Sequence, residues 1–166
     1  MAVIADACSV ILLAKSTVLE ELAKWKQVII TKSVHREVIE GKEKMFFDAL
    51  LTEKLIKERR ILVDNSNVER LAQKLRDDFG LGDGEAESIA LSSNMKDKII
   101  LTDNRQGRKV AKVYNLSLVG SIDVVVALFK ADRINEEKAN SALRALKRFG
   151  WFEDYLIEQA FQEVQK

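Results

Sequence analysis

Short apolar runs alternate with helix-periodic segments along the whole chain, and this alternation restricts the fold more than any other feature. Residues 2–5, 28–30 and 99–101 each have the length and apolar content of a buried strand. Strands that alternate with helices form mostly parallel sheets, connected by right-handed crossovers and covered by helices on both faces. The sequence therefore predicts an α/β fold with a mostly parallel central sheet flanked by helices.

The stretch from Gly80 to Arg105 is the most informative part of this pattern. Its glycines interrupt the preceding helix, Asp83 can cap a new one, and the apolar run 99–101 follows as a strand. Glu85 then falls in the first helical turn, and Asp103 lies just beyond the strand. In open parallel sheets, ligands bind outside the carboxyl ends of the strands, so Asp103 is a candidate functional residue.

The other elements follow from the same periodicities. The first strand ends at Asp6 and leads into a helix, and Ser33 can cap a helix that carries Glu37. Further helices are predicted at residues 42–60, from Ser66 through Phe79, at 106–115, and from Gly120 with Ser121 onward. Phe46 and Phe47 are expected on the buried face of the first of these helices. Short apolar runs at 61–63 and 116–119 are predicted as strands.

The last third of the chain, residues 135–166, is predicted as a pair of helices separated by Gly150. Its large apolar residues are expected in the core or in a subunit interface: Trp151, Phe152, Leu156 and Phe161. The chain contains no proline and no linker-like stretch, so we expect residues 1–166 to form a single domain.

Composition excludes several classes of protein. The 27 basic and 26 acidic residues give a net charge of +1, so a nucleic-acid partner would need local basic patches. A single cysteine, Cys8, and a single histidine, His35, exclude an intrachain disulfide, a cysteine-rich zinc site and a multi-histidine metal site. We expect Cys8 to be a small buried thiol. The chain has neither a bilayer-length apolar run nor a basic leader, so we expect a cytoplasmic protein without membrane association.

Four acids are expected to converge at one edge of the sheet. Asp6 and Asp103 each follow a strand, and Glu37 and Glu85 lie on helices that begin near the same edge. Like charges about 4 Å apart repel by roughly 4 kcal/mol at an effective dielectric of 20, and a divalent cation would remove that cost. Oxygen ligands favour Mg²⁺ or Mn²⁺, and the chemistry implied is phosphodiester hydrolysis.

Alternatives remain open at this point. Most acidic residues of a protein are solvated or cap helices. Because this chain has 26 of them, some are expected near strand ends by chance. Asp83 and Glu87 compete with Glu85 as ligands. Asn104 can orient a water or a phosphate, or be a turn residue.

Five segments in order resemble the PIN-domain proteins, specifically a prokaryotic branch that contains the sequence GEAE. They are VIADACSVILLAK, VIITKSVHREVIEG, LGDGEAESIALS, ILTDNRQGRKVA and LSLVGSIDVVVALFKA, and the similarity runs from residue 2 to about 165. The resemblance implies a three-layer Rossmann-like PIN fold with a C-terminal helical hairpin and an acidic pocket for Mg²⁺ or Mn²⁺. Active members are RNases, many of them VapC-type toxins that pair with an antitoxin.

Carried over by position, the resemblance implies that Asp6, Glu37, Glu85 and Asp103 bind the metal and are catalytic. Members commonly have Ser or Thr two residues after the first acid, where this chain has Cys8 with Ser9 adjacent. The pair after the fourth strand is often Asp-Asp, and here it is Asp103-Asn104.

The expected substrate is single-stranded RNA, because a carboxylate cleft can bind the backbone and unpaired bases of a single strand more easily than it can bind a duplex. Candidate substrate-binding residues at the site are Ser9, Asn104, Arg105 and Arg108. Further basic residues expected near the edge are Lys32, Arg36, Lys42, Lys44 and Lys109.

The alternative function is a catalytically weak PIN fold that acts as a protein–protein interaction module. In that case we expect a homodimer through helices rich in Phe46, Phe47, Val125 and Phe129. Binding of a small molecule at the sheet edge is a third hypothesis, and no phosphate-binding loop supports it.

Overall fold

The computed structural model describes residues 2–96 and 99–165. Its central layer is a five-stranded parallel sheet with the strand order β3-β2-β1-β4-β5. The strands are Ala2–Ala5 (β1), Gln27–Ile30 (β2), Ile61–Val63 (β3), Ile99–Leu101 (β4) and Ser117–Val119 (β5). The predicted α/β fold with a parallel central sheet is confirmed.

Helices connect the strands and cover the sheet. They are Ala7–Lys15 (α1), Leu19–Trp25 (α2), Lys32–Ile39 (α3), Phe47–Lys57 (α4), Glu69–Phe79 (α5), Asp83–Asn94 (α6), Arg105–Val113 (α7), Ser121–Lys130 (α8), Glu136–Phe149 (α9) and Asp154–Glu163 (α10), with a short 3-10 turn at Glu40–Lys42. None of these described helices combines the length and the apolar character needed to cross a bilayer.

The winding of the chain reverses between β1 and β4. From β1 the chain proceeds outward to β2 and β3. It then returns across the sheet to β4 on the other side of β1, and β5 is the last strand, at that edge of the sheet. Val3 pairs with Val28 on one side and with Ile99 on the other. The carboxyl ends of β1 and β4 are therefore neighbours, and this is the position where open parallel sheets form a crevice.

Both faces of the sheet are buried. Leu13, Leu101 and Leu128 belong to one large cluster, and Ile89 with Ile100 belongs to a cluster on the opposite face. The C-terminal hairpin of α9 and α10 contributes to the larger cluster. Because both faces are covered, the strands are continuous apolar runs rather than alternating ones.

The predicted helix at 42–60 is wrong at its start. The backbone of Met45 has a positive φ of 59°, which is incompatible with a continuous α-helix, and α4 begins only at Phe47. Phe46 and Phe47 were expected on the buried face, and they are 52% and 60% exposed.

The predicted C-terminal helix pair is present within residues 136–163. Trp151, expected to be buried, is wholly exposed, whereas Phe152 and Phe161 pack partly against the core. Val125 and Phe129 are buried inside the chain, so they cannot form the dimer surface expected of them. Residue 166 and residues 97 and 98 of the central stretch lie outside the described residues.

Candidate functional site

The ends of β1 and β4 bring the first and the fourth predicted acid to the same edge. Ala5 pairs with Leu101, and the Asp6 amide donates to the Leu101 carbonyl at 3.1 Å. Asp103 lies two residues beyond Leu101. The two carboxylates therefore lie at the crevice formed where the winding of the sheet reverses.

Asp6 is a buried acid with one unsatisfied oxygen. Its backbone is extended and its Oδ1 accepts the Ser9 amide at 2.9 Å, so the side chain caps α1. Oδ2 is buried and has no hydrogen-bond partner among the described residues. Burial raises the pKa of Asp6 to about 6, against the lowering influence of the Thr102 hydroxyl and of Ser9, and the charge of Asp103 adds to the rise.

Asp103 is held by donors from two helices. Its Oδ2 accepts the Ser9 hydroxyl of α1 at 2.8 Å and the Ser121 hydroxyl of α8, and its Oδ1 accepts the Ser121 amide at 2.8 Å. A Cβ at Gly120 would lie 2.9 Å from Asp103 Oδ1, so a larger residue at this position would displace the Asp103 carboxylate. The carboxylate is thus fixed between the first turns of α1 and α8.

Glu37 and Glu85 reach the site from α3 and α6. The Gly84 amide of α6 donates to the Glu37 carboxylate, and a Cβ at Gly84 would lie 2.6 Å from Glu37 Oε1. Partial burial raises the pKa of Glu37, and the charges of Glu85 and Asp83 raise it further. The Glu85 carboxylate accepts the Gly82 amide at 3.3 Å and so caps its own helix.

Cys8 lies among these acids and is exposed, so the expectation of a buried thiol is wrong. Partial burial of the sulfur raises the pKa of Cys8 to about 12, and the charges of Asp6, Asp103 and Glu85 add to the rise. Three of the four predicted acids therefore contribute to one negative potential at this position.

The four acids lack cationic partners. Within residues 2–96 and 99–165, none of them forms an ion pair. Arg108 of α7 lies near Asp103, since a Cβ at Gly120 would be 2.9 Å from an atom of each side chain, but its guanidinium donates to the Thr102 carbonyl at 3.0 Å. Asp83, the alternative to Glu85, contacts Arg76 at 3.3 Å on the surface.

The donor chemistry of the site fits a hard divalent cation. All four acids offer oxygen ligands, and Asp6 Oδ2 is a buried acceptor without a partner. In the described part of the chain, however, no three acidic, cysteine or histidine side chains are already grouped around one point. Glu37 and Glu85 are engaged with backbone amides instead, and rotation of these two side chains would be needed for all four to share an ion.

The remaining predicted residues have structural partners. The Asn104 side chain accepts the Gly107 amide at 2.9 Å and caps α7, and Arg105 is exposed beside it. Glu87 accepts the amide and the hydroxyl of Ser33 at 3.1 and 2.6 Å, which connects α6 to the start of α3. Glu87 is therefore bound at the N-terminus of α3, where negative charge is favoured.

Ser121 is a site residue that sequence reasoning missed. It follows β5 and Gly120 at the same edge of the sheet as Asp103, and it donates two hydrogen bonds to that acid. A Gly-Ser pair directly after a predicted strand was the signal that could have identified it, because such a pair places a helix N-terminus at the carboxyl edge.

The fold and the acids together define a class of proteins: parallel α/β folds with an acidic crevice where the winding reverses. A family model described as a PIN domain matches residues 2–166, and the chain belongs to the PIN-domain family. PIN domains are typically nucleases and generally use divalent metal ions. No curated protein and no solved structure matches the chain.

Proposed function

We propose that the protein is a metal-dependent endoribonuclease that hydrolyses phosphodiester bonds of single-stranded RNA. The observation that carries the proposal is the buried Asp6, whose Oδ2 has no partner, beside Asp103 at the crevice of a PIN fold. A buried, charged carboxylate whose oxygen has no hydrogen-bond partner destabilises the folded state unless the group is protonated or binds a cation. Retention of such a group is easiest to explain by a function that uses its charge.

In this proposal Asp6, Glu37, Glu85 and Asp103 hold Mg²⁺ or Mn²⁺, and one of them orients the attacking water. When bound, the ion polarises a phosphoryl oxygen and lowers the pKa of water. Asp6 and Asp103 provide fixed oxygens, because Ser9 and Ser121 hold them.

Glu37 and Glu85 provide adjustable oxygens in this proposal, because their backbone partners can be exchanged for an ion. Arg105 and Arg108 are proposed to contact phosphates of the substrate. Substrate contacts by Ser9 and Asn104 stay a prediction, since both side chains are engaged within the protein.

An RNA cleavage assay with and without EDTA tests the proposal. Asp6→Asn preserves the shape and the helix cap but removes the charge, so we expect EDTA-sensitive cleavage by the wild type and a loss of about 100-fold or more in the variant. Asp77→Asn, on the exposed face of α5, is the matched control and should cleave like the wild type. Equal cleavage by wild type and Asp6→Asn would refute the proposal.

We further propose that the nuclease is the cytoplasmic toxin of a toxin–antitoxin pair. The support is membership of the PIN family together with the resemblance stated above, since many active PIN-domain RNases are VapC-type toxins. Expression of the wild type should arrest growth, and expression of Asp6→Asn should not. A small DNA-binding protein encoded beside it should restore growth on co-expression, and arrest by both variants would contradict the toxin proposal.

A second candidate function is a catalytically weak PIN fold that binds a protein, including a second copy of itself. The observation that favours it is the engagement of Glu37 and Glu85 with backbone amides, since no three described acids already converge. Light scattering combined with a Mn²⁺ titration separates the two candidates. A dimer that binds no Mn²⁺ would favour the interaction module, and Mn²⁺ binding that requires Asp6 would favour the nuclease.

A further inference from the structure

The segment between α3 and α4 exposes large apolar side chains. We call residues 41–47 the aromatic turn. Met45 is 72% exposed, Phe46 52% and Phe47 60%, although solvent exposure of three consecutive large apolar residues is unfavourable. These side chains face no other described part of the chain closely enough to be buried. Such a patch indicates a binding surface.

The aromatic turn is a hydrogen-bonded structure. The Gly41 carbonyl accepts the amides of Lys44 at 3.2 Å and Phe46 at 3.1 Å, and the Met45 amide donates to the Lys42 carbonyl at 2.9 Å. The Phe46 ring folds back onto Gly41, where a Cβ would lie 2.6 Å from ring atom Cδ2. The backbone and Gly41 therefore hold the Phe46 ring in a defined position while half of its surface stays open.

The aromatic turn continues directly from the helix that carries Glu37. The amide of Glu40 donates to the Glu37 carbonyl, and Gly41 follows one residue later. Four residues of helix correspond to a rise of about 6 Å, so Gly41 and the ring packed on it lie roughly one helical turn beyond Glu37. One nucleotide of extended RNA spans a similar length, so a base on the ring and a phosphate beside Glu37 can belong to one strand.

We propose that Phe46 and Phe47 form a stacking platform for bases of single-stranded RNA, adjacent to the phosphodiester bond held at the acidic site. This inference rests on the proposed function and adds a substrate-binding subsite to it. Aromatic side chains accept any base by stacking, without reading its sequence. Lys44, in the same turn, supplies a cation for a phosphate between stacked bases, whereas Lys42 is paired with Glu53 at 2.5 Å.

The size of the patch favours bases over a second copy of the chain. At the observed exposures, three side chains of this size present on the order of 300–400 Å². A stable protein interface needs about 800 Å² from each partner, whereas a single base covers one ring. Glu43 lies between Lys42 and Lys44 in the sequence and Glu40 precedes them, so the turn carries no large field of one sign.

The test measures RNA binding separately from cleavage. In an Asp6→Asn background, which is not expected to cleave RNA, fluorescence anisotropy gives the affinity for a labelled oligoadenylate of about ten nucleotides and for the abasic strand of equal length. We expect Phe46→Ala to weaken oligoadenylate binding about tenfold and to leave abasic binding unchanged. Phe46→Tyr, which keeps a ring, should restore the affinity. Trp151→Ala removes an exposed aromatic from the C-terminal hairpin and is the matched control.

Each result has one meaning for this inference. Unchanged oligoadenylate affinity in Phe46→Ala, or no binding by the parent, overturns the platform. A dimer by light scattering that becomes a monomer in Phe46→Ala overturns it as well and assigns the patch to a second copy. Failure of the nuclease proposal is recognised independently, by the absence of EDTA-sensitive cleavage, and ring-dependent binding would then still support the platform.

Discussion

Asp6 has two roles that oppose each other. Its Oδ1 caps α1, which stabilises the fold, while its Oδ2 is buried without a partner and destabilises the charged form. The net result is a pKa raised to about 6 from 3.8. Because the folded state binds a proton more tightly than the unfolded state, the free energy of unfolding falls as pH rises between these values.

Asp6→Asn should therefore be the more stable protein at neutral pH in EDTA. Above about pH 6.5 we expect its free energy of unfolding to exceed that of the wild type by about 2 to 3 kcal/mol, because the buried charge is gone and the cap remains. Below about pH 3 the difference should vanish, since the wild-type carboxyl is then protonated in both states. Urea denaturation at both pH values measures the difference, and equal stability at neutral pH would contradict the prediction.

Gly84 is predicted to matter for the position of Glu37 rather than for stability. The methyl group of Gly84→Ala would lie 2.6 Å from Glu37 Oε1, which can move away at little cost, and 3.1 Å from Val34 Cγ2, which must shift by a few tenths of an ångström. We expect the free energy of unfolding to change by less than about 1 kcal/mol and Mn²⁺ affinity to fall about tenfold.

Gly82→Ala is the matched comparison for this variant, because its methyl group would lie 4.0 Å from the Glu85 carboxylate. Titration calorimetry with Mn²⁺ should give a clearly smaller effect for Gly82→Ala than for Gly84→Ala. Equal losses in the two variants would indicate that displacement of Glu37 is not the cause.

At the scale of elements, the site depends on helix N-termini that begin at the carboxyl edge of the sheet. Asp103 receives hydrogen bonds from the first turns of α1 and α8, where unpaired amides and the helix dipole favour negative charge. The helices thereby stabilise an acid that has no cationic partner among the described residues. The strand order and the positions where the helices begin bring these N-termini to Asp103, and the serine hydroxyl groups add further hydrogen bonds.

Ser121→Ala tests the contribution of α8. The variant keeps the backbone donor to Asp103 but loses the hydroxyl, which is fully buried. We expect a loss of about 1 to 2 kcal/mol in the free energy of unfolding, since a hydrogen bond to a charged acceptor is lost. Ser93→Ala, an exposed hydroxyl that bonds its own helix, should cost less than about 0.5 kcal/mol by the same thermal or urea measurement.

The pattern of elements was predictable because it follows from local periodicity. All five strands begin within a residue of the predicted runs, since both faces of the sheet require continuous apolar segments. Helix starts were less accurate. Thr31, not Ser33, caps α3, and α5 begins three residues after Ser66. Both Thr31 and Ser33 are good caps by type, and the choice depends on Glu87 from a distant helix.

The aromatic turn could not be predicted from periodicity. Phe46 and Phe47 fit a helical apolar face, and no glycine or proline at residues 42–47 indicates a break. The break lies at Met45, a residue type that rarely adopts a positive φ. The break accompanies a contact inside the turn, where the Phe46 ring packs back onto Gly41, and helix periodicity does not report such a contact.

The candidate site was predictable in its positions but not in its contacts. The order of strands and acids placed Asp6 and Asp103 at one edge, because parallel strands end there together. The bonds of Glu37 and Glu85 to backbone amides depend on rotamers and on the approach of α3 to α6, which no local pattern reports.

At the scale of the whole molecule, the C-terminal hairpin belongs to the main core. Leu143 and Ile157 of the hairpin are buried in the same cluster as Leu13 of α1 and Leu101 of β4. We therefore predict that residues 2–165 unfold as one unit. This is the prediction of a single domain, expressed as a measurable property.

Leu143→Ala should destabilise the entire chain and not the hairpin alone. Loss of a fully buried leucine costs about 2 to 5 kcal/mol, and we expect one cooperative transition at a lower temperature in calorimetry. Trp151→Ala, at a wholly exposed position of the same hairpin, should shift the transition by less than about 1 °C. Two separate transitions would contradict the single-domain prediction.

The buried charge at the end of β1 has an evolutionary consequence. A library selected only for resistance to heat would accumulate neutral replacements at position 6, whereas a library selected for RNA cleavage would eliminate them. Opposite enrichment at this codon in the two selections would show, without purified protein, that the charge at position 6 lowers stability and is needed for activity.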